Sequence, residues 1–428
     1  MRAVKKFVRK ILPVATLGII ERNYRRARGV FMQARYGYPA RGLRIVAVTG
    51  TNGKTTTISY INEVLKTAGY RTAVLTTAFI EIAGSYEPSR TTYTLQKQSD
   101  TQRFLRRAKK AGADFVILEV TSHALDQDRI MGVPVEIGVM TNLSQEHLDY
   151  HKTMENYAKA KSLLFQNFGA KYAVLNADDK WYEFFKNNTK CEIFSYGQNE
   201  ISDLKISDIR LKGTGSTAKA IFEEENIAIN TRLLGEFNIY NAAVAASVGI
   251  LLKIHPKNIE EGISDLAKVD GRMELIKAGQ GFRVLVDFAV TPKAIEEALK
   301  SLQKITEGKV RIVFGATGDR DKAKRPLMGG VAAKYADFIY LTDDETYSED
   351  GDQIRQDVFE GIKKAKGDNK TKVIADREKA ITRAVKDAKK GDTVYITGLG
   401  HENTRNMGGK LIPWQEKEVV QEILKKQT

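Results

Sequence analysis

The sequence predicts an α/β protein made of two successive domains, each with a mainly parallel sheet covered by helices. Three observations predict this. An apolar strand at 44–48 runs through a glycine-rich turn straight into a helix at 54–69. Short apolar runs at 72–75, 115–120 and 137–141 then alternate with helical patterns such as 97–111. The alternation restarts near residue 270, with strands expected at 283–287, 310–314, 338–341, 372–374 and 393–397.

Taken in order, the chain opens on a basic arm, residues 1–43. Residues 1–44 hold twelve Lys and Arg against Glu21 alone, which is +11 of a total net charge of +15 and leaves the remainder near neutral. An excess so confined argues for an anionic partner of the arm and against a nucleic-acid surface spread over the protein. The apolar stretch 11–20, behind Lys5, Lys6, Arg9 and Lys10, is too short to span a bilayer, contains Pro13 and lacks a small-residue cleavage site. Two readings of it stand open: a helix on an anionic membrane surface, and a basic helix packed on the neighbouring domain.

The helix at 54–69 carries Ile58, Ile61, Val64, Leu65 and Ala68 at helical spacing. Residues 193–234, richer in charge and β-prone residues and containing Gly213 and Gly215, read as an antiparallel excursion of the central domain. The two domains so delimited are 44–268 and 269–428. A chain of 428 residues, 42% hydrophobic and 28% charged, has the make-up of a soluble globular protein with sizeable cores. The one cysteine, Cys191, excludes a disulfide framework and a cysteine metal site, and fits the cytoplasm.

The run Val-Thr-Gly-Thr-Asn-Gly-Lys-Thr-Thr-Thr (48–57) joins strand to helix in the manner of a phosphate-binding P-loop. Gly50 and Gly53 let the backbone curl around phosphate oxygens, and the helix start offers free N–H groups. Lys54 supplies a point charge, and Thr55 can hold Mg²⁺. The chain is therefore expected to handle a nucleoside triphosphate. Glu119 ends a buried strand and His147 follows the next, both at the sheet edge where ligands gather. Each alone reads equally as a helix cap or a satisfied polar side chain; beside the loop they read as a metal-phosphate site.

Several motifs in fixed order then carry a family resemblance. They are Gly-Thr-Asn-Gly-Lys-Thr (50–55), Glu-Val-Thr-Ser-His-Ala-Leu (119–125), Asn-Leu-Ser-Gln-Glu-His-Leu-Asp-Tyr-His (142–151) and Ala-Lys-Ser-Leu-Leu-Phe (160–165). Further on stand Gly-Glu-Phe-Asn-Ile-Tyr-Asn (235–241), Asp-Gly-Arg-Met-Glu (270–274), Gly-Asp-Arg-Asp-Lys-Ala-Lys-Arg-Pro (318–326) and Gly-His-Glu (400–402). From about residue 45 onward the chain resembles the Mur ligases, ATP-dependent amide synthetases of peptidoglycan precursors. It most resembles their UDP-N-acetylmuramoyl-tripeptide synthetase branch, which adds the third amino acid.

The resemblance implies a central P-loop ATPase domain, a Rossmann-like C-terminal α/β domain, and a two-step reaction. ATP phosphorylates the terminal carboxylate of a muramyl peptide, and the amine of a free amino acid then displaces phosphate. Lys54, Lys161 and Arg272 are implied as catalytic, and Thr55, Glu119, His147 and Lys161, carbamylated, as the Mg²⁺ site. ATP is implied at Thr51, Asn52, Gly53, Lys54, Thr55, Thr56, Asn238, Asn241, Arg272 and Asp287, closed over by a hinge at 269–272. The muramyl peptide falls to Thr91, Thr92, Thr121, Gln127 and Arg129, and the incoming amino acid to Arg320, Asp344, Gly398 and Glu402.

The pattern breaks in places. The family's N-terminal domain of about a hundred residues, which grips the UDP moiety, is replaced here by the basic arm, so the acceptor is expected to be UDP-linked through the arm, lipid-linked, or without UDP. The diaminopimelate-type tetrapeptide Asp-Asn-Pro-Arg is Asp344-Glu345-Thr346-Tyr347, and a tyrosine cannot form the arginine's bidentate charged pair, which admits lysine, another diamine or a different amino acid. Val290 replaces the family's usual histidine and Leu399 a lysine. The expectation is a cytoplasmic ligase of cell-wall synthesis, peripheral to the membrane if the arm binds lipid, with no nucleic-acid partner. The alternatives are a related ligase with another acceptor and a noncatalytic nucleotide-binding scaffold.

Overall fold

The computed structural model describes residues 14–88, 95 and 97–426. Two sheets organise the chain. The first is built from β1 (Arg44–Thr49), β2 (Thr72–Leu75), β3 (Phe79–Ile82), β4 (Ser85–Pro88), β5 (Phe115–Glu119) and β6 (Ile137–Met140). It continues with β7 (Tyr172–Asn176), β8 (Glu192–Gly197), β9 (Leu204–Lys212), β10 (Gly215–Phe222) and β11 (Glu225–Thr231). Their spatial order is β11-β10-β9-β8-β7-β6-β1-β5-β2-β3-β4.

The strands from β2 to β9 in that order pair in parallel, while β10 and β11 at one edge and β3 and β4 at the other are antiparallel. The expected excursion at 193–234 is therefore a continuation of the same sheet, turned antiparallel by two tight hairpins. β1 lies between β5 and β6, so the loops leaving these three strands share one edge of the sheet.

The second sheet holds β12 (Glu274–Ile276), β13 (Arg283–Asp287), β14 (Val310–Phe314), β15 (Phe338–Leu341), β16 (Thr371–Val373) and β17 (Thr393–Thr397), ordered β12-β13-β17-β14-β15-β16. Only β12 is antiparallel to its neighbour. A separate hairpin, β18 (Thr404–Met407) with β19 (Lys410–Pro413), follows.

Burial explains the elements. Ile58, Ile61, Val64 and Leu65 turn one face of helix Lys54–Thr67 inward, each at most 1% exposed. That face packs with helix Glu236–Leu251, whose run of Ala and Val is buried almost throughout. The central strands are apolar on both faces because helices cover both, and separate clusters fill the two sides of each sheet.

The two units meet through their loops. Asn52 donates to the Thr291 hydroxyl at 3.2 Å, Gln145 to Asp321 at 3.1 Å, and the buried Lys324 ammonium to Glu146 at 2.9 Å. The end of the arm is a helix, Val14–Arg35, packed beside helix Gln98–Lys110. Gln98 Nε2 donates to the Arg25 carbonyl at 2.9 Å, and Arg25 Nε pairs with Asp128 at 3.5 Å. Its described part is thus docked on the neighbouring domain, while Ile20, Tyr24, Val30 and Phe31 stay exposed. Among the described residues no helix is long and apolar enough to cross a membrane.

Candidate active site

The glycine-rich turn leaves β1 at the shared edge, braced by the segment after β6. Asn142 Oδ1 accepts from Asn52 N at 3.0 Å, Thr141 Oγ1 donates to the Asn52 carbonyl at 2.8 Å, and Thr51 N donates to the Asn142 carbonyl at 2.9 Å. Gly53 caps helix Lys54–Thr67 with φ +83°, and a Cβ there would lie 2.5 Å from Asn241 Oδ1. Lys54 Nζ is folded into the loop, donating to the carbonyls of Gly50 (3.1 Å) and Thr51 (2.9 Å). Burial lowers its pKa, which Glu119 opposes. Thr56 is buried two residues further into the helix.

Glu119, at the end of β5, takes the Thr55 hydroxyl at 2.9 Å and the Thr77 backbone N–H at 3.2 Å. His147 sits at φ +57° with its ring 4.9 Å from that of His123. Burial, then His123 and nearby lysines, hold its pKa well down, so it presents a neutral imidazole. Lys161, 1% exposed, donates to the Gly50 carbonyl at 2.8 Å and lies 4.7 Å above the Tyr157 ring. Burial and then Lys54 push its pKa well below the ordinary range, which favours the neutral amine.

These donors fit a divalent cation: a hydroxyl and a carboxylate already joined to each other, with a neutral imidazole close to the same loop. Among the described residues no group of three or more His, Cys, Asp and Glu converges to hold a metal. Such a cation would therefore keep waters or phosphate oxygens, as Mg²⁺ prefers.

Arg272 enters from the second unit. Its guanidinium lies 4.6 Å over the Phe288 ring, donates to Thr55 Oγ1 and to the Phe288 carbonyl at 3.4 Å each, and leaves a buried Nε unpaired. Asp287, at the end of β13, accepts from Tyr395 (2.7 Å) and from the N–H groups of Phe288 and Met273. Burial raises its pKa. Asn238 and Asn241 lie beneath the loop, their amides engaged with each other at 2.9 Å, with Leu234 O and with Thr57. Asn241 lies directly under Gly53, and each amide keeps a second donor and acceptor position beyond these bonds.

Of the residues expected to meet the muramyl peptide, Thr121 caps helix Ser122–Asp126, and Gln127 Oε1 takes Arg129 at 2.7 Å. Thr91 and Thr92 lie outside the described residues. In the second unit, Gly398 follows β17, where a Cβ would approach Asp344 Oδ2 to 2.5 Å. Asp344 and Glu345 are raised in pKa by burial. Glu402 is pushed up to about 7 by burial and by Glu345 and Asp344, against Arg272. Arg320 is half-buried, its guanidinium 5.1 Å from the Tyr347 ring.

The structure adds Thr77, Asn142, His123, Phe288 and Glu345 to the residues read from the sequence. Asn142, His123 and Glu345 stood inside motifs already noted. Thr77 and Phe288 carried only the weak signal of lying just past the end of a parallel strand.

Residues 48–249 match the family model of the Mur ligase middle domain, and residues 271–400 that of the Mur ligase glutamate ligase domain. The chain is 38% identical over 415 residues to the UDP-N-acetylmuramoyl-L-alanyl-D-glutamate--2,6-diaminopimelate ligase of Geobacillus kaustophilus, covering 95% of this chain and 84% of the relative. It is 39% identical over 409 residues to the enzyme of the same name from Aquifex aeolicus, covering 95% and 82%. A solved structure of a ligase of that name superposes with a TM-score of 0.65 at 33% identity over 95% of this chain and 83% of the other. The folylpolyglutamate synthase of Mycobacterium tuberculosis shares the fold, with a TM-score of 0.72 at 16% identity over 87% and 92%. With the phosphate loop, its acidic partner and the arginine from the second unit all in one place, these matches make the chain a member of the Mur ligase family, the ATP-dependent amide ligases.

Proposed function

We propose that this ligase joins the amine of a free amino acid to the terminal carboxylate of a muramyl peptide, at the expense of ATP, in peptidoglycan precursor synthesis. The observation that carries the reading is the meeting of Lys54, Lys161 and Arg272, drawn from two units, around one glycine loop.

An oxygen of the acceptor carboxylate attacks the γ-phosphorus and ADP leaves. The amine then attacks the carbonyl carbon of the acyl phosphate, sheds a proton, and phosphate departs with the oxygen it gained. Two anions meet in the first step, so positive charge fixed beforehand lowers the barrier. Lys54 and Arg272 supply it, and the bonds of Asn52 to Thr291 and of Glu146 to Lys324 keep water from the acyl phosphate. Thr55, Glu119 and His147 would hold Mg²⁺, which would supply further charge neutralisation on the phosphates. The lowered pKa of Lys161 suits carbamylation, because only an unprotonated amine adds CO₂; the product would be an anion beside the cation site.

Gln127, Arg129 and Thr121, with Thr91 and Thr92, serve the peptide acceptor. Arg320 serves the carboxylate of the incoming amino acid. Asp344, Glu345 and Glu402 favour one whose distal ammonium has no carboxylate beside it, as in lysine, over diaminopimelate, whose distal carboxylate they would repel. The exposed Ile20, Tyr24 and Phe31 on a basic helix favour work at the cytoplasmic membrane face. Incubation with ATP, Mg²⁺, UDP-muramyl dipeptide and a panel of amino acids tests the reading. Phosphate release that needs both co-substrates supports it; release that ignores the acceptor counts against it.

A further inference from the structure

Helix Val14–Arg35 is docked by one face only. Gly29 is buried, and a Cβ there would lie 2.8 Å from Met131 Cβ and 3.2 Å from Gln98 Nε2, so a side chain at 29 would force the contact apart. With the bond from Gln98 to the Arg25 carbonyl and the pairing of Arg25 with Asp128, this close approach fixes which side of the helix faces out.

The outward side is apolar at helical spacing. Ile20, Tyr24 and Phe31 fall within about 40° of one another around a helix axis. They are 49%, 61% and 59% exposed, and the exposed Ala27 and Ala34 continue the stripe. Single exposed apolar side chains are ordinary, but an aligned row of them on a helix otherwise fixed in place marks a contact surface.

Charge says what covers the row. Arg28 and Arg35, both exposed, stand one turn beyond Tyr24 and Phe31. Helix Gln98–Lys110, on which the first helix packs, exposes Arg103, Arg106 and Lys110. Residues 1–13 bring five more Lys and Arg and no Asp or Glu. A second copy of the chain would set this positive charge against itself. An anionic lipid surface satisfies both features, because the apolar row enters the acyl boundary while the arginine stems reach the lipid phosphates.

Taking up the membrane-face part of the reading above, we infer that the outward face of helix Val14–Arg35 is a docking surface for an anionic bilayer, with Ile20, Tyr24 and Phe31 inserted and Arg28 and Arg35 on the headgroups. The helix thus holds the ligase at the membrane by one face and to its own domain by the other.

The test is flotation of the full chain with phosphatidylcholine vesicles made with and without phosphatidylglycerol. The unmodified chain is expected to bind the anionic vesicles at least tenfold more tightly than the neutral ones. Tyr24→Ser with Phe31→Ser, and separately Arg28→Gln with Arg35→Gln, are each expected to weaken that binding about tenfold, with melting temperature and ligation of a soluble acceptor unchanged. Absence of binding to anionic vesicles, or binding untouched by the Tyr24 and Phe31 changes, overturns the inference. So does lipid-free dimerisation that those changes abolish, which would give the face to a second copy. Vesicle binding without turnover of any amino acid would sink the ligation chemistry alone, and turnover without vesicle binding would sink the docking surface alone.

Discussion

Arg272 and Thr55 stand 217 residues apart in sequence, yet Arg272 Nη2 donates to the Thr55 hydroxyl at 3.4 Å while that hydroxyl donates to Glu119 at 2.9 Å. The relay links the second unit to the cation side of the phosphate loop. A lysine at 272 keeps the charge but loses the fork and the stacking on Phe288. Arg272→Lys is expected to lower kcat about a hundredfold with little change in melting temperature, read from steady-state kinetics and calorimetry.

Gly53 is fixed by its left-handed backbone and by Asn241 beneath it. Gly53→Ala combines a strained φ, about 1–2 kcal/mol, with a collision that displaces the loop. Affinity for Mg·ATP is expected to drop at least tenfold by titration calorimetry. Binding equal to the unmodified chain would deny the loop its role.

Lys161 gives a pH signature. Its folded pKa lies well below 10.5, so the unfolded chain carries the extra proton between the two values, and stability from this group rises with pH across that interval. Lys161→Met removes the penalty, and the Gly50 carbonyl still accepts from Lys54. Urea unfolding should find the variant more stable at pH 7, with a shrinking advantage towards pH 10, while ligation is lost. A variant less stable at pH 7 contradicts the lowered pKa.

Glu402 titrates near 7, so its ionised fraction rises about tenfold between pH 6 and pH 8. For a diamino acid bound through its distal ammonium, KM should fall over the same range, and Glu402→Gln should flatten the profile. A KM that rises with pH would remove Glu402 from that site.

Lys324 and Glu146 form a buried pair between the units. Glu146→Gln leaves the lysine charge without its partner, at a cost of about 3–5 kcal/mol to the closed arrangement. Thermal melting should show the loss, and Glu146→Gln with Lys324→Met should recover most of it.

Strands β13, β14, β15 and β17 fell on the expected residues because each is an apolar run bounded by polar turns. β16 sits one residue earlier, at an edge with exposed Lys372 and Val373, where periodicity carries little information. The hairpin of β3 and β4 went unread because four-residue strands alternate too briefly to register. In the site, the phosphate loop was legible because its parts are contiguous. The hold of Thr77 on Glu119 and of Phe288 under Arg272 was not, because strand ends far apart in sequence create it. The bond between Asn241 and Asn238 and that from Thr57 to Asn241 were likewise not legible, because the loop and the helix that carries the two asparagines lie far apart in sequence.

The central claim is that the acceptor carboxylate is activated as an acyl phosphate at the loop of Lys54 and Thr55. Turnover of an acceptor labelled with ¹⁸O in its terminal carboxylate measures this directly. The account predicts one ¹⁸O in each inorganic phosphate released, with ADP as the co-product. Unlabelled phosphate, or AMP and pyrophosphate in its place, would contradict it.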